Sequence, residues 1–427
     1  MTPAEIRASA QFSHPPTSAG PVQPKRPEVT LDDVTRPGAR EAPNDGVIRL
    51  PRTTQLDAHG VTQAFDPGRL TLARERNGLT KTELATRLNL SPAAITQFER
   101  RQSRPSAQTL ELAARELGVP LDYFAAGRPQ LVPHPDTAHF RSLRSTRQYE
   151  RLQALALLAH AAEIVRVIEQ LVRIPEPALV QLDPADPVAA AQQLRLGWRL
   201  PAGPIPHLVR LLESKGVVVV LARFGAEERI DAFSCWSEEL ARPFVCLSRD
   251  RRNVLRRRFN AAHELGHLVM HRDTCGGPIE REREANTFAA EFLVPSEEIG
   301  PLLPHRVDLA ALVELQRDWG VSVQALLHRS KELGALTDSA SRQAWILLTK
   351  LGWRRDEPAE DLPGEWPSLL DQALDLALPL GLTAEVLATG LKLPMSEILE
   401  LLGRRVDTRP QLRLVLPPNT TPLPAQR

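Results

Sequence analysis

Apolar positions recur every three to four residues along most of this chain, and the stretches that keep this spacing predict helices. In the N-terminal part the period sets in at Pro67–Asn77, returns over Thr80–Leu88 and Ser91–Arg100, and continues through Leu110, Leu112, Ala113 and Leu117 to a short stretch from Val119 to Phe124. Ser145–Ile174 reads as one long helix, followed by Asp186–Gly197 and Ile205–Gly216. The pattern then changes to short apolar or alternating runs at Val217–Arg223, Ile230–Trp236 and Pro243–Leu247, which predict a three-stranded sheet. Helical spacing resumes at Phe259–His271 and Glu280–Pro295. It persists in Ala310–Trp319, Val323–Leu333, Ser339–Leu351, Trp366–Leu380, Ala384–Leu391 and Pro394–Leu402.

Length and composition divide this pattern into domains. A chain of 427 residues is too long for one core. Its 38 prolines gather in tails and linkers, so the reading is a disordered tail at 1–64, a helical domain at 65–127 and a linker at 128–144. A mixed domain at 145–335, a helical C-terminal region at 336–406 and a loose tail at 407–427 complete it. The C-terminal region shows core periodicity and no catalytic constellation, which leaves partner binding, homodimerisation and regulation as its open roles. Lys and Arg number 53 against 52 Asp and Glu, so overall charge decides nothing about nucleic acid. No apolar run has the length of a membrane span, and the first residues lack the charged-then-apolar order expected of a secretory signal. Three cysteines, Cys235, Cys246 and Cys275, without CxxC spacing suit reduced thiols, so the expected location is cytoplasmic.

The N-terminal helices carry the signals of a helix-turn-helix. Thr80 and Glu83 form a capping box, Ser91 and Pro92 open the next helix, and Leu88-Asn89-Leu90 lies between the two. Asn89 tolerates the left-handed conformation that so tight a turn needs, while Leu84, Leu88, Leu90, Ile95 and Phe98 fill a shared core. From Arg69 to Arg104 there are eight basic and three acidic residues, a balance that suits phosphate contact. In this geometry Pro92, Ala93, Thr96 and Gln97 face the major groove of double-stranded DNA, and Lys81, Arg100 and Arg101 stand nearer phosphates. Gln97 is the best base reader, because its amide pairs bidentately with adenine. The plainer alternative is a helical bundle used for protein docking.

The stretch His263-Glu264-Leu265-Gly266-His267 carries the candidate chemistry. On a helix, residues at i and i+4 lie about 40° apart around the axis, so His263 and His267 can reach one metal ion. Glu264 sits round the helix from them, placed as general base towards a water at that ion rather than as a ligand. A catalytic zinc needs three protein ligands and an open position. Glu282, on the next amphipathic run, can supply the third ligand, with Asn286 one turn on to orient the His263 ring; Glu284 is the runner-up. His271, one turn beyond His267, takes an orienting role in the same scheme. Amide hydrolysis is the chemistry implied. The two tyrosines, Tyr123 and Tyr149, both precede this region, which leaves the stabilisation of an oxyanion to a histidine, an arginine or the metal.

The pair HELGHLVMH and EREANTFAAEFLVP resembles the ImmA/IrrE family of zinc metallopeptidases, with Leu200–Ile205 and Asp231–Ser234 as further points of likeness. The resemblance covers roughly residues 183–329 and implies Glu282 as the carboxylate that completes the site. It also implies a repressor-like protein as substrate. Residues 65–127 resemble the Cro/repressor-like DNA-binding domain, down to Phe98-Glu99-Arg100 and the Arg104-Pro105 turn. The expected molecule is thus multidomain: an all-α helix-turn-helix bundle, an α+β zincin-like domain holding Zn2+, and an all-α C-terminal region. A regulator whose peptidase fold is a non-catalytic sensor is the competing expectation.

Overall fold

In the computed structural model, which describes residues 56–125, 138–140, 147–224, 230–249, 254–272, 278–354, 357, 362 and 365–404, one small sheet stands between two helical layers. Its strands are β1 (Ala138–Phe140), β2 (Val218–Ala222), β3 (Ala232–Ser237) and β4 (Arg242–Ser248), in the order β1-β3-β4-β2. β3 is antiparallel to β1 and β4, and β2 is parallel to β4. The predicted strands are present. β1 is an addition, from a segment assigned to the linker, because three residues are too few to display a period. Alternation sorts the side chains: Val218, Val220, Phe233, Cys235, Phe244 and Cys246 join one core, and Val219, Leu221, Ala232, Val245 and Leu247 the other. Burial on both faces explains why these strands read as nearly unbroken apolar runs.

The N-terminal helices are α1 (Ala58–Gln63), α2 (Pro67–Arg76), α3 (Lys81–Arg87), α4 (Pro92–Glu99) and α5 (Ala107–Leu117), closed by a 3-10 turn at Leu121–Phe124. α1 lies in the stretch expected to be disordered. Asp57 caps it, accepting from the Gly60 N–H at 2.7 Å, and Val61 is its one fully buried side chain. A helix with a single apolar anchor leaves no pattern to read. Between α3 and α4, Asn89 takes φ 54°, the left-handed value expected of the turn. Thr80 and Glu83 complete their capping box, and Ser91 Oγ accepts from the Ala94 N–H at 3.2 Å.

α6 (Gln148–Ile168) is the shared wall between this bundle and the sheet. Ala156 and Ala159 let α2 approach closely over Leu72. The contact is more than apolar. Arg69 of α2 bonds Glu163 of α6 at 2.7 Å with both side chains buried, and the Arg69 guanidinium lies over the Tyr123 ring. Tyr123 Oη lies 2.8 Å from His160 Nε2, and His160 Nδ1 lies 2.7 Å from Glu397 Oε1. Arg76 Nε donates to the same carboxylate at 2.9 Å. The DNA-binding domain was expected to join the rest through the linker at 128–144. The structure instead docks it through a buried polar chain.

α7 (Pro187–Gly197), α8 (Leu208–Ser214), α9 (Val254–Met270), α10 (Pro278–Leu293) and α11 (Ser296–Ile299) follow in chain order. With α12 (Leu309–Trp319), α13 (Val323–Glu332) and α14 (Asp338–Lys350) they build the layer on the far side of the sheet. α15 (Leu369–Ala377), α16 (Ala384–Leu391) and α17 (Met395–Leu401) cross back to the α6 side. Residues 336–406, read as a region of their own, thus divide between the two cores. Arg258 of α9 is buried and bonds Glu365, the Gly320 carbonyl and the Ile205 carbonyl. Arg256 stays outside and pairs with Asp231 at 2.5 Å. Cys275 lies outside the described residues.

Candidate functional site

α9 carries His263, Glu264 and His267 on its buried side, and α10 runs beside it, presenting Glu282. The two helices come this close because Gly266 has no side chain: a Cβ there would stand 2.9 Å from the Phe288 ring. Ligand atoms of His263, His267 and Glu282 lie within 4.8 Å of one another, the metal-sized cluster among the described residues. His263 Nε2 and His267 Nε2 are 3.1 Å apart, and the Glu282 oxygens lie 3.5 and 3.4 Å from them.

The other ring nitrogens decide which atoms face this point. His263 Nδ1 donates to Asn286 Oδ1 at 3.1 Å, with the amide placed oxygen inward, which leaves Nε2 as a lone pair. His271 Nε2 donates to Glu284 Oε2 at 2.8 Å. Burial lowers the His271 pKa against the pull of Glu284, so its Nδ1 is a bare acceptor and takes the proton of His267 Nδ1 at 2.9 Å. His267 Nε2 is therefore a lone pair too. Burial pushes His267 down to about 3, so the ring is neutral at pH 7. Burial works against the charge of Glu282, and the imidazoles beside it bring its carboxyl down to about 2 only as proton donors, a role that a bound cation would take over. Two neutral imidazoles and one carboxylate converge with no proton left to share. That donor set fits a dication of the zinc class. Asn286 lies against the His263 ring and His271 against the His267 ring. Glu284, the runner-up ligand, sits instead at the far end of the His271 relay.

Glu264 is fully buried on the sheet side of α9, where Ser234 Oγ of β3 donates to its Oε2 at 2.7 Å. Ser234 lies within the Asp231–Ser234 point of likeness, with no role expected of it. Thirty positions separate it from Glu264, and a lone serine in a strand carries no signal. Its place on the α9 face follows from strand alternation alone.

In the helix-turn-helix region, Pro92, Ala93, Gln97, Arg100 and Arg101 are exposed along α4 and its end. Thr96 is half-buried, its hydroxyl donating to the Pro92 carbonyl at 3.0 Å. Lys81 is also half-buried, 3.0 Å from Glu99, which Arg74 engages as well at 2.6 Å. The basic excess was overcounted as a surface feature. Arg69, Arg74 and Arg76 turn inward to Glu163, Glu99 and Glu397, and the outward set is Lys81, Arg87, Arg100, Arg101 and Arg104.

Residues 212–331, which hold α9, α10 and the three longer strands, match the family model of the IrrE N-terminal-like domain, a peptidase family. The chain carries an IrrE-like peptidase domain. Residues 70–124 match a helix-turn-helix family model, so a DNA-binding domain precedes it. No curated protein matches the chain. The IrrE-like domain as matched begins at α8 and ends in α13, so α6, which seats the helix-turn-helix domain, lies outside both matched spans.

Proposed function

We propose that the chain is a zinc-dependent endopeptidase that cuts a repressor-like protein and also binds a specific duplex through its helix-turn-helix domain. The observation that carries this reading is the convergence of two imidazole lone pairs and the Glu282 carboxylate one helical step from a buried Glu264, within the residues that match the IrrE-like domain. His263, His267 and Glu282 would hold the metal. When bound there, zinc supplies Lewis-acid polarisation of a peptide carbonyl and makes water nucleophilic near neutral pH. Glu264 takes the proton of the attacking water and passes it to the leaving amine. Ser234 fixes the orientation of that carboxylate through its Oε2. The buried thiols Cys235, pushed up to about 12 by burial, and Cys246 stay protonated and inert. The cytoplasm, where DNA and repressors meet, is the proposed compartment.

The test compares wild type with Glu264→Gln on co-expressed repressor-like proteins, with bound zinc measured in both. The variant keeps a full zinc equivalent and its DNA binding and loses cleavage by orders of magnitude. Regulation of target genes by Glu264→Gln at the wild-type level would instead favour the non-catalytic regulator.

A further inference from the structure

The last three helices repeat the plan of the helix-turn-helix. Gly381-Leu382-Thr383, Leu387-Ala388-Thr389, Leu391, Leu393 and Ile398 recur at one constant spacing from Gly78-Leu79-Thr80, Leu84-Ala85-Thr86, Leu88, Leu90 and Ile95. α15 with the 3-10 turn Leu378–Leu380 then corresponds to α2, α16 to α3 and α17 to α4. The backbone repeats with the residues. Thr383 caps α16 by accepting from the Val386 N–H at 3.3 Å, as Thr80 caps α3 by accepting from the Glu83 N–H at 3.2 Å. Lys392 takes φ 56° in the turn where Asn89 takes 54°, a left-handed value that few side chains adopt. The Leu393 N–H donates to the Ala388 carbonyl at 3.0 Å, and the Leu90 N–H to the Ala85 carbonyl at 2.8 Å. Leu387, Leu391 and Ile398 are buried, as Leu84, Leu88 and Ile95 are. The family match that covers the first unit, residues 70–124, does not extend to these helices.

We propose that residues 369–404 are a second helix-turn-helix unit, and that its reading helix α17 binds protein rather than DNA, with the first unit as its partner. Charge and exposure on the reading helix separate the two units. Glu400 stands where α4 has Gln97, its expected base reader, and Glu397 where α4 has Ala94. Glu397 is buried, accepts from Arg76 Nε at 2.9 Å and meets His160 at 2.7 Å, while Glu400 lies 4.0 Å from the same Arg76. The side of the helix that reads bases in the first unit thus grips the end of that unit's α2. Two carboxylates so placed would repel a phosphate backbone. The cations of the second unit are engaged within the chain as well. Lys392 pairs with Asp122 of the DNA-binding domain at 3.5 Å, and Arg404, at the place of Arg101, pairs with Asp371 and Asp375. α15 and α17 also pack against β2, and α15 and α16 against α6, so the second unit reaches from the DNA-binding domain to the sheet of the peptidase domain. The role left open for the C-terminal helices is then an internal one. The chain carries two helix-turn-helix units and reads a duplex with one.

The test uses the full chain. Ala93→Glu and Ser396→Glu place one carboxylate at the same exposed position of each unit. Against a duplex selected from a random pool by the wild-type chain, Ala93→Glu is expected to weaken binding at least tenfold, and Ser396→Glu to leave it within twofold. A tenfold loss in Ser396→Glu puts α17 on DNA and overturns the proposal. Amide exchange without DNA reads the contact between the units. Arg76→Gln is expected to exchange the amides of α16 and α17 at least tenfold faster, with α9 and α10 as in wild type. Arg76→Lys, which keeps a cation beside Glu397, stays within threefold of wild type. Unchanged protection of α16 and α17 in Arg76→Gln overturns the proposal, and so does a rise that spreads evenly to α9 and α10, the sign of a general loss of stability. Exchange needs no duplex, so it decides between the outcomes even where none is bound.

Discussion

A metal ligand is only as good as the group that fixes its ring, and two residues of this site act at that remove. Asn286 settles the proton on His263, and Glu284 settles the proton on His267 through His271. Glu282→Ala removes a ligand and strips the metal, whereas Glu284→Ala leaves three ligands in place with one ring unanchored. Loss of such an outer partner weakens metal affinity by about 10- to 100-fold, so a chelator competition ranks Glu282→Ala below Glu284→Ala and Glu284→Ala below wild type. Equal affinity of Glu284→Ala and wild type would show that the relay does not act. The arginines of the helix-turn-helix domain divide in a comparable way. Arg101→Ala, at an exposed position, lowers the salt dependence of duplex binding by about one unit of slope. Arg69→Met leaves Glu163 buried without its cation, which costs about 3–5 kcal/mol of stability and appears in a melting curve rather than in the salt slope.

Among elements, the approach of α10 to α9 sets the site, and Gly266 sets that approach. The Phe288 ring that a Cβ would meet is fully buried and stacked on Phe292 at 5.6 Å between centroids, so it has no room to turn aside. Gly266→Ala is expected to cost about 1–3 kcal/mol by overpacking and to lower zinc content by moving Glu282 away from the histidines. A variant with wild-type melting and full zinc would show that the helices can part freely. These two helices were legible because a 3.6-residue period fixes the face of each residue, which brings His263 to His267 and Glu282 to Asn286 without any knowledge of the fold. Ser234 was not, since strand and helix are joined by a path through three elements. α1 and β1 were missed for want of length, one having Val61 as its one buried anchor and the other three residues in all. Arg69 and Arg76 misled for another reason: a guanidinium that seeks a buried carboxylate and one that seeks phosphate look alike until the neighbours are known.

Across the whole molecule, the buried chain from Tyr123 through His160 to Glu397 ties three regions into one body. Burial alone would raise the Glu397 carboxyl; His160 and Arg76 beside it more than reverse this and hold it at about 2, below its ordinary 4.5. Glu400 lies 4.0 Å from Arg76 at the margin of the same cluster. A carboxyl with a depressed folded-state value stabilises above its unfolded value near 4.5, and that stabilisation is lost as pH falls through about 2. Melting temperatures of Glu397→Gln are therefore expected to be lower than wild type at pH 6 and to converge with it towards pH 2; parallel curves would mean that Glu397 carries no pH-linked stability. The docking has a further consequence. On the proposed function, α4 and α9 lie in one compact unit, so a protein seated in the major groove would hold its peptidase domain at one azimuth around the double helix. DNA returns to the same azimuth every 10–10.5 base pairs. A repressor-like substrate of the kind proposed, bound at a neighbouring operator, would then face the active site at some spacings and the far side at others. Moving that operator in half-turn steps should make cleavage rise and fall with the pitch of the duplex, so that the genome's own screw becomes part of the enzyme's specificity.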